Sequence, residues 1–316
     1  MKKLSIVIPT YNEELNVVPL YEALIEMLHT SLPNYAYEIL FIDNKSPDHT
    51  RDKLRVLCHR DQNVKAIFNS KNFGQFNSPY YGLTQSSGDC TIMLCADFQD
   101  PIELLPTFVK EWENGYRIVI GIKTKSQENK LVYFIRGLYY KMIKRISEVD
   151  QIEHFTGFGL YDKSFIEVLS QLEDPAPFLR GIVAELGYER KEIAYTQAKR
   201  RAGKTSYSWY KLYDAGMLGV TSYSKILMRI ATMLGFVFSF FSFLVAVYYF
   251  VMKLLFWNAL SWGTAPILIG VYLIGSIQIF FIGLLGEYVL NINTRVMRRP
   301  LVVVEERINF NDLKAK

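Results

Sequence analysis

The chain has 316 residues, half of them hydrophobic and 15% aromatic, with a formal net charge of +5. That length holds two average domains, or one α/β domain plus a membrane segment, and the charge is too small to point to a nucleic-acid partner, while it suits phosphate ligands or an anionic membrane surface. Cys58, Cys90 and Cys95 form no CxxC pair and leave one thiol over, which argues against a disulfide framework or a zinc site and for reduced thiols in a cytosolic domain.

Met1-Lys2-Lys3 is followed by only a short apolar run, residues 4–9, which reads as a first strand and not as a secretory signal. Further strands are expected at residues 38–43, 64–69, 90–95 and 117–122, each rich in Ile, Val, Leu or Phe. Helices are expected between them at 14–28, 48–58, 75–86 and 102–114. Strand and helix alternating at this spacing predict βαβ units around a mostly parallel α/β sheet. Ligands of such sheets bind beyond the carboxyl ends of the strands.

Those ends are polar. They read Pro9-Thr10-Tyr11-Asn12-Glu13, Asp43-Asn44-Lys45-Ser46, Asn69-Ser70-Lys71-Asn72-Phe73-Gly74 and Asp97-Phe98-Gln99-Asp100. Singly, Asp43 or Asn72 could be a helix cap or a turn former. Together, carboxylates, amides and a lysine at adjacent strand ends suit a nucleotide and a metal ion.

Beyond residue 125 the pattern turns toward a membrane. Residues 130–146 mix aromatic, aliphatic and basic side chains, as an interfacial helix would. A basic run, Lys199-Arg200-Arg201-Gly203-Lys204 with Ala202 inside it, is either a solvated flank or a phosphate-capturing segment. The 23 positions 230–252 carry no charge, and as a helix they span about 35 Å, enough for a hydrocarbon core of roughly 30 Å. A second uncharged stretch, 254–286, places its spanning part at 265–285. Trp257 and Trp262 mark the short link, which carries only Lys253, whereas Lys225, Arg229, Arg295, Arg298 and Arg299 flank the outer ends. Both outer ends are therefore expected in the cytoplasm.

Pro9-Thr10-Tyr11-Asn12-Glu13, Asp43, Asn72-Phe73-Gly74 and Ala96-Asp97-Phe98-Gln99-Asp100-Pro101 together resemble the family 2 glycosyltransferases. Within them the likeness is to the polyprenyl-phosphate branch, with its bactoprenol glucosyltransferases and dolichyl-phosphate mannose synthases. It continues through Arg201-Ala202-Gly203-Lys204-Thr205-Ser206-Tyr207, Gly286-Glu287-Tyr288 and Arg299-Pro300, and so spans nearly the whole chain. The resemblance implies a GT-A nucleotide-sugar-binding domain over residues 1–205. A juxtamembrane amphipathic helix (206–228), two transmembrane helices within 229–290 (about 230–252 and 265–286) and a cytoplasmic tail (291–316) follow.

It also implies residue roles. Pro9, Tyr11, Glu13, Asp43, Asn72, Ala96, Asp97, Lys123, Arg201 and Lys204 would bind the nucleotide sugar, Asp43 through the base. Arg136 and Tyr140 would hold the acceptor phosphate. Asp97 and Gln99 would ligate Mg²⁺ or Mn²⁺; two apart on an extended segment, they point the same way. Such a cation would neutralise the departing diphosphate. Asp97 and Arg136 would belong to the catalytic set, to which His154 is added for its nearness to segment 156–160, with Glu153 beside it as a further supporting candidate. Partners would be a nucleotide sugar, polyprenyl phosphate and membrane lipids, with a homo-oligomer left open.

Three departures stand out. Cys95 replaces the first aspartate of the family's Asp-x-Asp-x-Gln motif. Asn44-Lys45 replaces the Asp-Gly that usually follows the base-contacting aspartate. Gly157 and Gly159, in Thr156-Gly157-Phe158-Gly159-Leu160, replace an aspartate favoured as general base and an arginine. A hydroxyl acceptor needs such a base, but a lipid monophosphate, with a second pKa near 6, is largely a dianion already. The expectation is direct in-line attack by phosphate oxygen, with inversion, UDP-glucose being the favoured donor. GDP-mannose as donor, and a non-catalytic membrane scaffold of the same fold, stay open at this point.

Overall fold

The computed structural model describes residues 1–125, 152–172, 174–198, 201, 264–297 and 299–310, with isolated positions between 233 and 255. Arg136, Tyr140, Lys204, the interfacial segment 130–146, the juxtamembrane segment 206–228 and most of the first expected span lie outside the described residues.

In chain order the elements are β1 (Lys3–Thr10), α1 (Val17–Ser31), β2 (Ala36–Asp43), α2 (Thr50–Arg60), β3 (Val64–Asn69), α3 (Gly74–Thr84), β4 (Cys90–Met93), a 3-10 turn (Ile102–Leu104), α4 (Leu105–Glu113) and β5 (Ile118–Lys125). After them come β6 (Phe155–Asp162), α5 (Lys163–Gln171), α6 (Leu179–Glu185), β7 (Arg190–Thr196), α7 (Thr264–Val296) and β8 (Val304–Ile308). The strands form one sheet in the order β7-β5-β6-β4-β1-β2-β3-β8. Its centre, β4-β1-β2-β3, is parallel, as expected. β6 lies antiparallel between β4 and β5, and β8 antiparallel on the β3 edge, which makes the sheet mixed.

The central strands are apolar on both faces because helices cover both. Leu4, Ile6 and Ile8 of β1 pack with Leu20 and Leu24 of α1, Leu54 of α2 and Phe108 of α4. On the other face Val7, Leu40, Ile42 and Ile67 pack with Tyr80 and Leu83 of α3, Phe165 and Leu169 of α5 and Ile182 of α6. Gly82 lets α3 lie close to the sheet, since a Cβ there would come within 2.9 Å of Val7 Cγ1 and 3.0 Å of Ile42 Cγ2.

Two expectations change. β4 ends at Met93 and not at Cys95, so Cys95 and Ala96 belong to the following loop. Residues 304–308, expected as part of a tail, complete the sheet edge. α7 covers the second expected span and is long and apolar enough to cross a membrane, its apolar window running over Ile277–Thr294 with a mean hydropathy of 1.2. Ile267, Val271, Ile279, Phe280 and Ile282 are all exposed along it.

Candidate active site

The carboxyl ends of β1, β2, β3, β4, β5 and β7 meet the amino ends of β6 and β8 along one edge of the sheet. Most of the expected site residues that the structure describes lie in the loops there.

The first group surrounds Asp43. Its side chain is wholly buried. It accepts the Ser46 amide at 3.0 Å, the Ser46 hydroxyl, the Thr10 hydroxyl at 3.4 Å and Arg51 Nε at 2.6 Å. A buried charge is tolerated when paired and hydrogen-bonded like this. Asp43 thus fixes the turn in which Lys45 takes φ 64°.

Asn44 binds that turn to the β3 loop. Its Nδ2 donates to Asn72 Oδ1 at 3.0 Å and to the Gly74 carbonyl at 2.9 Å, and its Oδ1 accepts the Phe73 amide at 2.8 Å. The β1 loop is laced to the same turn by the Asn12 amide on Ser46 Oγ at 3.0 Å and the Glu13 amide on Thr50 Oγ1 at 2.9 Å. Tyr11 stands exposed at the lip, while Glu13 is buried and accepts Asn16 Nδ2 at 2.6 Å. Pro9 and Asn72 take their places on the flanking β1 and β3 ends.

The second group is built on Asp97. The segment expected to be extended is a turn: Phe98 has φ 59°, and the Gln99 amide donates to Asp97 Oδ1 at 3.1 Å. An aspartate bonding the backbone two residues on favours this turn over a strand, so turn geometry and not strand alternation sets Asp97 beside Gln99. Ala96 and Asp97 are buried and Cys95 is exposed. Asp100 pins the turn from below, accepting the Tyr195 hydroxyl at 2.8 Å and the Cys95 amide at 3.4 Å. Burial pushes the Asp100 carboxyl above its usual range, and the Tyr195 hydrogen bond opposes that only in part.

The segment after β7 then runs along the turn. The Ala198 amide donates to the Gln99 carbonyl and the Arg201 amide to the Asp97 carbonyl, both at 3.3 Å. The Arg201 guanidinium sits 5.1 Å from the Phe98 ring centre. The structure therefore brings Arg201 to Asp97 across 104 positions of sequence (201 minus 97).

The third group is at the β5–β6 junction. The Lys123 amide donates to the His154 carbonyl at 3.3 Å, and His154 has φ 58°. Gly157 has φ 104°, where a side chain is strained, and a Cβ there would collide with the Met93 methyl group. A Cβ on Gly159 would lie 2.7 Å from the Val119 carbonyl oxygen. At 157 the backbone angle disfavours a side chain, the Met93 methyl being the movable end of a flexible chain, whereas at 159 the Val119 carbonyl leaves no room for one.

Sequence reasoning missed Arg51, Asp100 and Tyr195. Asp100 stood inside a motif already singled out. Arg51 and Tyr195 carried no local signal, because their contacts form only when distant strands meet. Among the described residues no group of three or more His, Cys, Asp or Glu is placed to hold a metal ion.

Comparison with known proteins decides the family. The family model described as Glycosyl transferase family 2 matches residues 5–169, more than half of the chain. The chain belongs to glycosyl transferase family 2. This glycosyltransferase is 30% identical over 305 residues to an uncharacterized glycosyltransferase of Synechocystis sp., covering 96% of this chain and 95% of the relative. It is 29% identical over 305 residues to the SfII prophage-derived bactoprenol glucosyl transferase of Shigella flexneri, covering 96% and 98%. Among solved structures it is similar to glucosyl-3-phosphoglycerate synthase from Mycobacterium tuberculosis in complex with Mn²⁺, UDP and phosphoglyceric acid. That likeness has a TM-score of 0.46 at 13% identity and covers 70% of this chain and 76% of the other.

Proposed function

We propose that this glycosyltransferase moves a sugar from a nucleotide sugar, UDP-glucose first among donors, to undecaprenyl or a similar polyprenyl phosphate at the cytoplasmic membrane face. The observation that carries the reading is Gly157: where the family resemblance places a base this chain has no side chain, and a φ of 104° strains any that would stand there. An acceptor that arrives already deprotonated removes the need, and a phosphate monoester is such an acceptor. The near-full-length likeness to a bactoprenol glucosyl transferase supports the same acceptor.

In this reading the laced loops of Pro9, Tyr11, Glu13, Asp43 and Asn72 receive the base and ribose. Asp43 acts there through the turn it holds. Ala96, Asp97, Lys123, Arg201 and Lys204 face the diphosphate and sugar. Asp97 and Gln99 supply hard oxygen donors that fit Mg²⁺ or Mn²⁺, with the remaining positions left to water and diphosphate oxygens. A bound divalent cation would offset the charge of the departing diphosphate. Arg136 and Tyr140 hold the acceptor phosphate, and His154 assists at the β5–β6 junction. Catalysis then rests on positioning and charge neutralisation.

The chain is read as a cytosolic domain over 1–205, completed by β8, with a juxtamembrane helix over 206–228. Two membrane helices at about 230–252 and 265–286 follow, and both termini are cytoplasmic. The exposed apolar side chains of α7 favour lipid contact. The test is to incubate purified full-length protein with a panel of UDP- and GDP-sugars, undecaprenyl phosphate and Mg²⁺ or Mn²⁺. A new glycolipid is the expected product, fastest from UDP-glucose. No glycolipid with any donor, together with no metal-dependent nucleotide binding, would overturn the reading.

A further inference from the structure

β8 reaches the donor loop through one carboxylate. Glu305 Oε2 accepts Lys45 Nζ at 2.8 Å and Arg51 Nη1 at 2.9 Å. Lys45 is the residue whose φ of 64° disfavours any side chain. The same Arg51 guanidinium donates through Nε to Asp43 and through Nη2 to the Asn69 carbonyl. One cation thus ties together the ends of β2, β3 and β8. The Arg51 side chain is only 12% exposed, so water offers it few substitutes, whereas Glu305 is 45% exposed. Hydrogen bonds from Lys45 and Arg51 pull the Glu305 carboxyl down to about 2, so it is ionised at any physiological pH.

β8 itself is anchored without Glu305. It pairs with β3, Ser70 donates its amide to the Val303 carbonyl at 2.9 Å, and Glu306 bridges Arg55 at 2.8 Å. Asn309 Nδ2 donates to the Cys58 and Val64 carbonyls, each at 2.7 Å. Removing the Glu305 charge should therefore release the loop while leaving the strand docked.

We infer that Glu305 is a positioning residue of the donor site: from the C-terminal strand it holds Lys45 in its turn and Arg51 against Asp43, presetting residues 43–46 for the nucleotide. This rests on the proposal that this sheet edge binds the donor. β8 begins eight residues after α7 ends, Val296 to Val304, so the donor loop is tied through a short link to the helix proposed to cross the membrane.

The test compares full-length wild type, E305Q and E306Q for kcat and KM with UDP-glucose and undecaprenyl phosphate, and for amide hydrogen exchange across residues 43–46. E305Q is expected to raise the KM for UDP-glucose about fivefold, in keeping with the modest strength of half-exposed ion pairs. It should leave kcat and the acceptor KM within about twofold, and speed exchange across 43–46. E306Q should do neither. Unchanged donor KM and exchange in E305Q, or the same changes in E306Q, would overturn the assignment. If the wild type turns over no donor, the functional reading fails, and exchange still decides the rest: faster in E305Q supports the ordering role, unchanged refutes it.

Discussion

Asp97→Ala is expected to lower the rate of sugar transfer by about 10²-fold or more, the scale of losing one preorganised charge-stabilising group. The side chain lies buried in the turn at the carboxyl edge of β4, with Gln99 placed beside it by the Gln99 amide bond to Oδ1. It offers a carboxylate oxygen where the leaving diphosphate is proposed to sit, and a methyl group offers none. Folding should be little affected, because Asp100 and Tyr195 hold the base of the turn separately. Steady-state rates at saturating donor and Mn²⁺, with circular dichroism as the folding control, measure this. A rate within tenfold of wild type would take Asp97 out of the reaction.

Glu38→Ala is expected to cost stability on the scale of about 3–5 kcal/mol, with little direct effect on chemistry. Glu38 lies near the amino end of β2, at the sheet edge opposite the site, almost fully buried. Lys3 Nζ and Lys65 Nζ each approach Oε2 at 2.8 Å, Ser5 Oγ approaches Oε1 at 2.5 Å, and the Ser87 amide and hydroxyl approach at 2.6 and 2.7 Å. Truncation leaves both ammonium groups and the buried Ser5 hydroxyl without this partner. The apparent melting temperature should fall by about 10 °C, and a fall under about 2 °C would contradict the assignment.

The same site sets an acid limit. Burial alone would push the Glu38 carboxyl up, but the hydrogen bonds from Lys3, Lys65, Ser5 and Ser87 outweigh it and bring it down to about 2 from 4.5. A carboxyl whose folded value is depressed stabilises the fold above its unfolded value, and that contribution disappears as pH falls from about 4.5 toward 2. Melting curves of Glu38→Gln should lose this part of the acid dependence.

The parallel centre of the sheet was legible in the sequence because its strands are buried on both faces. Ile6 and Val7 point to opposite sides of β1, and neither is exposed. Continuous apolar runs of this kind mark the strands themselves, though not always their ends, since β4 stops at Met93. The edges were not legible. β7, Arg190–Thr196, buries only Tyr195 and carries three charges, and β8, Val304–Ile308, reads Val-Glu-Glu-Arg-Ile. Each becomes a strand only when a partner strand distant in sequence offers its free edge.

The site divides in the same way. Asp43 and Asp97 announced themselves as carboxylates at strand ends, and Arg201 as part of a basic run. What holds them did not: Arg51 is an ordinary helix arginine until β8 arrives, and Tyr195 meets Asp100 across 95 positions. The turn at Asp97 was open to a better reading, since an aspartate followed by two residues and a carboxylate-rich loop fits an Asx turn as well as an extended strand.

The central claim is that a lipid phosphate oxygen attacks the sugar directly. The linkage in the lipid product tests it best. Product made by the full-length enzyme from UDP-glucose, whose sugar is α-linked, and undecaprenyl phosphate should be read by phosphorus and proton NMR. The account predicts a β-glucosyl phosphodiester with a single phosphorus. An α-linked sugar, or a product carrying a diphosphate, would contradict it.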